Sequence, residues 1–234
     1  IHESCNASQK LQLERGLFDM KRLCRTAVDH ILEHGNQSAV FTSYFGEGAD
    51  PAVPLGIFER LLRGDKSDTL IRCDDPDHNC ATQEGWNGHW RGENATGETV
   101  ICPLSFETRL PIEKTCAGGF QLARDNVNIY WGADLLHRAM HFPALTNEHV
   151  THLADEYAAL LELAHHSPEE AVRNQHTIQD FAFEVFSRKY ITPEGCVGEV
   201  AANATDAADA HGSTTTTKAH KECHTHSDGV EHCS

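Results

Sequence analysis

Apolar residues recur at helical spacing from residue 8 to residue 34, where Leu11, Leu17, Met20, Cys24, Ala27, Val28 and Ile31 outline a long helix. Gly35-Asn36 supplies its C-terminal stop. A loop carrying Tyr44-Phe45-Gly46 follows, then a short helix around Ile57 to Arg63. Thr69 to Cys73 and Thr99 to Cys102 are strand-like and bracket a loop-rich stretch that includes Trp86 to Gly92. The acidic loop from Cys73 to Cys80 lacks the D-x-D-x-D-G spacing of a calcium site and reads as a disulfide-closed surface loop. Trp86 and Trp90 read as core aromatics. Further on, Ile129, Leu135, Leu136, Met140 and Phe142 predict a buried helix that Pro143 ends, because the ring cannot continue it. Thr146 can cap a helix to about His166, and Ser167-Pro168-Glu169-Glu170 forms a capping box opening another to about Tyr190. The pattern predicts a mainly α fold with a minor β component (α+β minor).

Past Cys196 the composition shifts to Gly, Ala, Asp and Thr, too poor in apolar residues for a core. This divides the chain into a domain at 1–197, a flexible linker at 198–219 and a His/Cys-rich tail at 220–234. In the tail, Asp228-Gly229 is a hairpin turn signal between Cys223 and Cys233, which can staple it. A hairpin centred there puts Thr225 opposite His232 and His226 opposite Glu231, with His224 and His226 on one strand face. His224, His226 and His232 gathered this way suit zinc or copper, and the flanking cysteines favour this over an unstructured tail.

Charge and cysteine content set the environment. Asp plus Glu outnumber Lys plus Arg by 35 to 19, a formal net charge of −16. Such a surface repels nucleic acid and anionic membranes and favours cations. No apolar run approaches the roughly 20 residues that span a bilayer. The start, Ile1-His2-Glu3-Ser4, has neither a basic n-region nor an apolar h-region, so any signal peptide is expected to be already absent. Nine cysteines accompany four glycosylation sequons, at Asn6, Asn36, Asn94 and Asn203. Together they point to the oxidising secretory route, and so to a secreted protein.

The candidate chemistry centres on His137-Arg138-Ala139-Met140-His141. Residues i and i+4 of a helix share a face, which lets two imidazoles reach one zinc ion at about 2.0–2.1 Å each. The zinc peptidase motif H-E-x-x-H uses this spacing, with its glutamate as general base. Here Arg138 replaces that glutamate, and a guanidinium cannot take a proton from water. The spacing says metal, and the missing carboxylate argues against hydrolysis. With 17 histidines in 234 residues, about one such pair arises by chance, and His30/His34 and His220/His224 are others, so the surroundings decide. A third ligand is expected from the two later helices: His152 and Asp155, read as i,i+3 on one helix face, or Asp180.

Several stretches together resemble one family. They are Ser4-Cys-Asn-Ala-Ser8, Ser43-Tyr-Phe-Gly46, Cys73-Asp-Asp75, Gly85-Trp-Asn-Gly-His-Trp-Arg-Gly92, Ile101-Cys-Pro-Leu-Ser-Phe106, Asp134-Leu-Leu-His-Arg138, His152-Leu-Ala-Asp-Glu-Tyr157 and the terminal Cys-His-Thr-His…His-Cys. The chain resembles the fungal zincophore or pH-regulated antigen family, which carries an H-R-x-x-H signature, includes a major mould allergen and is distantly similar to deuterolysin-type aspzincin peptidases. The resemblance implies a zincin-like, deuterolysin-like helical core. It also implies a secreted, cell-surface-associated protein that captures Zn2+ and returns it through a membrane zinc transporter, and that contacts host serum or complement proteins. A second copy of the chain, as a homo-oligomer, is a further candidate partner. Aspzincins take a ligand from G-T-x-D-x-x-Y, which Thr177, Asp180 and Phe183 echo without the glycine or tyrosine. His152 and Asp155 match the zincophore pattern better. By the same resemblance Cys5, Cys73, Cys80, Cys102, Cys116, Cys196, Cys223 and Cys233 form disulfides of unassigned connectivity, and Cys24 is the unpaired, buried thiol. The competing functions are a deuterolysin-like secreted zinc metallopeptidase, with Glu156, Asp155 or Glu184 as base, and an adhesin or antigen with incidental histidines.

Overall fold

The computed structural model describes residues 1–199 and two further strand segments, 223–225 and 231–233. The first element is the long helix that periodicity predicts, α1 (Ala7–His34), opened by a reciprocal cap in which the Asn6 side chain accepts from Gln9 N while the Gln9 side chain accepts from Asn6 N. Leu13, Met20, Leu23, Cys24, Ala27 and Ile31 bury its apolar stripe. Helix α2 (Ala39–Phe45) follows, so Tyr44-Phe45 lies on a helix rather than in the expected loop. Its N-cap Ser38 accepts from Phe41 N, and Gly46 ends it. Helix α3 (Ala52–Arg63) begins earlier than its densest apolar residues suggest.

The next stretch builds a small sheet. Strand β1 (Leu70–Arg72), helix α4 (Asn79–Thr82), strand β2 (Gly88–Trp90), strand β3 (Glu98–Ile101) and helix α5 (Pro103–Thr108) follow in order. The strand order is β1-β3-β2, with β1 parallel and β2 antiparallel to β3. Disulfides Cys5–Cys73 and Cys80–Cys102 fasten this region. The Cys73-to-Cys80 loop is therefore not closed on itself: its ends are tied separately, one to the start of α1 and the other beyond β3. Cys116–Cys196 ties the end of the domain back to its middle, and Cys24 is free and fully buried.

Helix α6 (Trp131–Met140) carries the histidine motif and crosses α1 closely. Glycines permit the approach on both helices: a Cβ at Gly16 would meet Leu135 at 2.7 Å, and one at Gly132 would meet the Asp19 backbone at 3.0 Å. Beyond Pro143 the chain departs from the helix that its sequence pattern predicts. Helix α7 (Pro143–Thr146) is a single turn, and residues 147–156 form a loop, not the first half of a helix capped by Thr146. Asn147 and Glu148 adopt left-handed backbone, with φ of 50° and 59°, which breaks the helix. Helix α8 (Tyr157–His166) begins only there, so His152 and Asp155 are loop residues. The helix expected from Pro168 to Tyr190 is likewise two: α9 (Pro168–Ala171) and α10 (Gln175–Tyr190).

Helix α10 is buried continuously from Gln175 to Ser187 and forms the centre of the core. Phe181 packs edge-on against Phe41, Tyr44 and Phe45 at 4.9–6.0 Å between ring centres. On the other face, Gln175 Nε2 donates to His137 O and Gln179 Nε2 to Ala133 O, fixing α10 to the backbone of α6. Strands β4 (Cys223–Thr225) and β5 (Glu231–Cys233) pair antiparallel with Cys223 opposite Cys233, His224 opposite His232 and Thr225 opposite Glu231. That register differs by one from the hairpin centred on Asp228-Gly229. His226 and the tail side chains, with any Cys223–Cys233 bond, lie outside the described residues, as do the 200–219 linker and Asn203. Among the described residues, no helix is long and apolar enough to cross a membrane.

Candidate metal centre

His137 is buried, and His141, the C-cap of α6, lies one turn beyond it. Their Nε2 atoms are 3.3 Å apart and their ring centres 5.1 Å. Two nitrogens bound at about 2.0–2.1 Å to one tetrahedral ion stand about 3.3 Å from each other. The pair therefore already has the spacing of two zinc ligands. The other described i,i+4 pair, His30/His34, is engaged differently, with His30 Nε2 2.7 Å from Ser38 Oγ.

The loop at 147–156 brings His152 alongside. Its ring lies nearly parallel to His141, 4.9 Å between centres and 13° between planes. Trp90 of β2 also stacks on His141, at 5.8 Å and 15°, and is half-buried. It packs against the main core, as the sequence reading expects, and also borders the candidate centre. Trp86, by contrast, is buried against the Cys80–Cys102 disulfide. The loop is held by Asn174: its Oδ1 accepts from Leu153 N and Ala154 N, and its Nδ2 donates to Ala154 O. A backbone bridge between Thr151 and Asn174 completes the attachment.

The same junction supplies a residue that the sequence reading missed. His176, in the first turn of α10, has its ring 5.3 Å from His137 and 6.1 Å from His152. His176 Nε2 lies 3.5 Å from Asp155 Oδ1, and His152, Asp155 and His176 offer ligand atoms all within 4.8 Å of one another. Burial holds the His176 pKa below its ordinary value, against a smaller opposing pull from Asp155, so the imidazole stays neutral, the form that ligates. A signal was present in the chain: Asn174, Gln175, His176, Thr177 and Gln179 are a polar run just ahead of the apolar Phe181-Ala-Phe183 stretch of the helix, and all are buried.

Asp180, the other ligand candidate, is buried one turn further along α10 and belongs to neither three-donor group among the described residues. It borders a cavity of about 270 Å³ together with Asp155, Tyr157 and His176. Burial, then the neighbouring Glu184, raises its pKa well above the carboxylate range. Glu184 accepts from Tyr44 Oη at 2.7 Å and from Arg188 Nε at 2.6 Å, so this candidate base is already engaged. Glu156 stands at the N-cap of α8.

Arg138 is committed to the other side of α6. Its Nε donates to both Asp134 oxygens at 3.1 Å and its Nη1 to Thr99 Oγ1 of β3, while Arg109 Nη2 also reaches Asp134. The residue in the glutamate's place is thus part of a buried ion cluster joining α6 to the sheet. The other three-donor group, Cys80, His89 and Cys102, has both sulfurs in a disulfide.

Helices packed about a His-x-x-x-His pair, with further imidazole and carboxylate donors converging on it, define a zinc-peptidase-like fold with a candidate metal centre. A solved zinc peptidase from Grifola frondosa shares the fold, with a TM-score of 0.55 at 17% identity over 76% of this chain and 96% of that one. The HRXXH putative peptidase family matches residues 1–199, and the chain belongs to that family. It is 44% identical over 199 residues to Antigen 1 of Emericella nidulans, covering 85% of this chain and 71% of that protein. It is 42% identical to the major allergen Asp f 2 of Aspergillus fumigatus, covering 85% of this chain and 64% of that protein. Against the pH-regulated antigen PRA1 of Candida albicans the identity is 39%, over 85% of this chain and 67% of the relative.

Proposed function

We propose that the chain is an extracellular zinc-binding protein that captures Zn2+ at the α6 centre and delivers it to a membrane zinc transporter. The observation that carries the reading is the 3.3 Å separation of the His137 and His141 Nε2 atoms, the spacing a tetrahedral ion imposes. His152 is the favoured third ligand, with Asp155 beside it. The net charge of −16 supports attraction of cations, and the three disulfides among the described residues suit an oxidising exterior. In this reading the linker at 198–219 carries a tail in which His224, His226 and His232 form a second, accessible zinc site closed by Cys223–Cys233. Asn6, Asn36 and Asn94 are exposed and, with Asn203, serve as glycosylation sites. The names of the relatives support an antigen or allergen; contact with host proteins and self-association belong to the same proposal.

A second reading, a secreted zinc metallopeptidase, draws on the peptidase fold. Bound zinc would lower the pKa of a coordinated water and polarise a substrate carbonyl. The motif position that should take the proton holds Arg138, bound to Asp134. Metal analysis of the purified full-length chain, alongside casein cleavage with and without chelator, separates the two. Stoichiometric zinc without turnover supports capture; chelator-sensitive turnover establishes the peptidase; absence of zinc removes both.

A further inference from the structure

We propose that His176 is itself a ligand of this centre, taking the coordination position that a hydrolytic zinc site keeps open for water. The inference rests on the zinc-binding reading above and specifies the chemistry of the same site. Structural zinc sites are closed by four protein ligands, whereas catalytic ones keep three and an exchangeable water. The sequence offers His137 and His141 with one further ligand from the following segment, which is the open arrangement. The fold adds a fourth imidazole from a different helix.

Three features place His176 in the coordination sphere. The ring centres of two imidazoles bound to one tetrahedral ion lie about 5 Å apart, given nitrogen–zinc distances of about 2.0–2.1 Å. His137–His141 at 5.1 Å, His141–His152 at 4.9 Å and His137–His176 at 5.3 Å all meet this. His152 stands wider from His137 and His176, at 6.2 and 6.1 Å, which assigns any adjustment to the loop that carries it. Second, His176 Nε2 is buried and makes no hydrogen bond, although it lies 3.5 Å from Asp155. A buried polar atom without a hydrogen bond is uncommon in a folded protein and calls for an unseen partner. Third, the turn that carries the ring is tied to both neighbouring elements: Gln175 is bonded to the His137 backbone, and Asn174 grips the loop of His152 and Asp155.

With Asp155 the cluster has five donor groups, one more than a tetrahedral ion takes. One protein group can then leave while the others hold, so that a carrier can release its ion stepwise without admitting a reactive water.

The test uses the full-length chain with one equivalent of cobalt(II), which fills the four-ligand core before the three-histidine tail site and whose visible spectrum reports coordination, and sodium azide as a probe for an exchangeable position. The expected parent spectrum does not respond to azide. His176→Ala should bind zinc at least about tenfold more weakly in chelator competition and should gain an azide-sensitive spectrum. His176→Gln fills the space without an imidazole and guards against misfolding of the alanine variant. An azide-sensitive parent overturns the proposal, as does a folded His176 variant with the parent's affinity and spectrum. Failure of the underlying reading looks different: changing His137 and His141 together would then also leave metal binding unaltered.

Discussion

Among the described residues, two places bring three metal-type donors within 4.8 Å of one another, and they differ in what those donors are already doing. At Cys80, His89 and Cys102 the sulfurs are joined, and the His89 Nε2 is 3.1 Å from Asp77 Oδ2. The geometry is spent on holding the sheet region together. At His152, Asp155 and His176, and at His137 and His141 beside them, position is set by helix packing and by hydrogen bonds to Asn174 and Gln175. No covalent bond consumes the donor atoms there. Proximity of donor types therefore does not distinguish a metal site; the covalent bond between two of its three donors sets the cysteine cluster apart from the histidine one.

The largest effect should come from removing donors on the histidine side. Replacing His137 and His141 together by alanine should eliminate core zinc, a loss beyond the ten- to hundredfold that supporting residues typically contribute. Elemental analysis should show the full-length variant one zinc equivalent short of the parent, the tail keeping its own, and a variant that holds as much zinc as the parent would erase the distinction between the two clusters. On the cysteine side the reverse is expected. Changing Cys80 and Cys102 to alanine opens a crosslink between residues 22 apart and should cost about 3 kcal/mol of stability. Zinc stoichiometry should stay unchanged; urea unfolding and metal analysis on one sample test both halves.

A smaller change sharpens the contrast in how position is held. Asn174→Ala removes the three hydrogen bonds that fasten the His152 loop. Each such bond contributes about 0.5–1.5 kcal/mol, and zinc affinity should fall about tenfold as His152 loses its support. Chelator competition that gives the parent's affinity would show that the loop needs no such pin.

These particulars show what could be read from the chain alone. The α1 periodicity, the α6 motif and the burial of Cys24 were legible because each depends on short-range pattern or on a single apolar face, whereas the unpaired state of Cys24 came from the family resemblance. The loop at 147–156 was not, because a cap residue and a polar-apolar pattern also describe a helix. The left-handed turn at Asn147-Glu148 and the tie to Asn174 decide otherwise, and the latter spans about 20 residues. His176 escaped for the same reason. It has no histidine one turn away on α10, and its neighbours in the cluster come from α6 and the loop. Strand β2 was hidden in a stretch whose Gly88-His-Trp90 exists as a strand only because β3 pairs with it.

Acidification should separate the clusters once more, by the most modest effect. Burial lowers the pKa of both His89 and His176, with Asp77 and Asp155 respectively pulling the other way. In the unfolded chain each imidazole titrates near about 6.5. As pH falls through that value the unfolded state takes up protons that the folded state does not, so stability falls with pH. The contribution of each neutral imidazole is therefore complete above the unfolded value and is lost on the way down to the folded one. In metal-free protein, the urea midpoint should drop between about pH 7.5 and 5.5, and His89→Gln and His176→Gln should each flatten that drop. Saturating zinc should steepen it for the parent, because the ion stabilises only the folded state and protons displace it from imidazole. The His89 variant should show the same zinc-dependent steepening as the parent, and the His176 variant a reduced one. A His89 variant that loses the steepening would mean that the disulfide-side cluster, and not the histidine side, holds the ion.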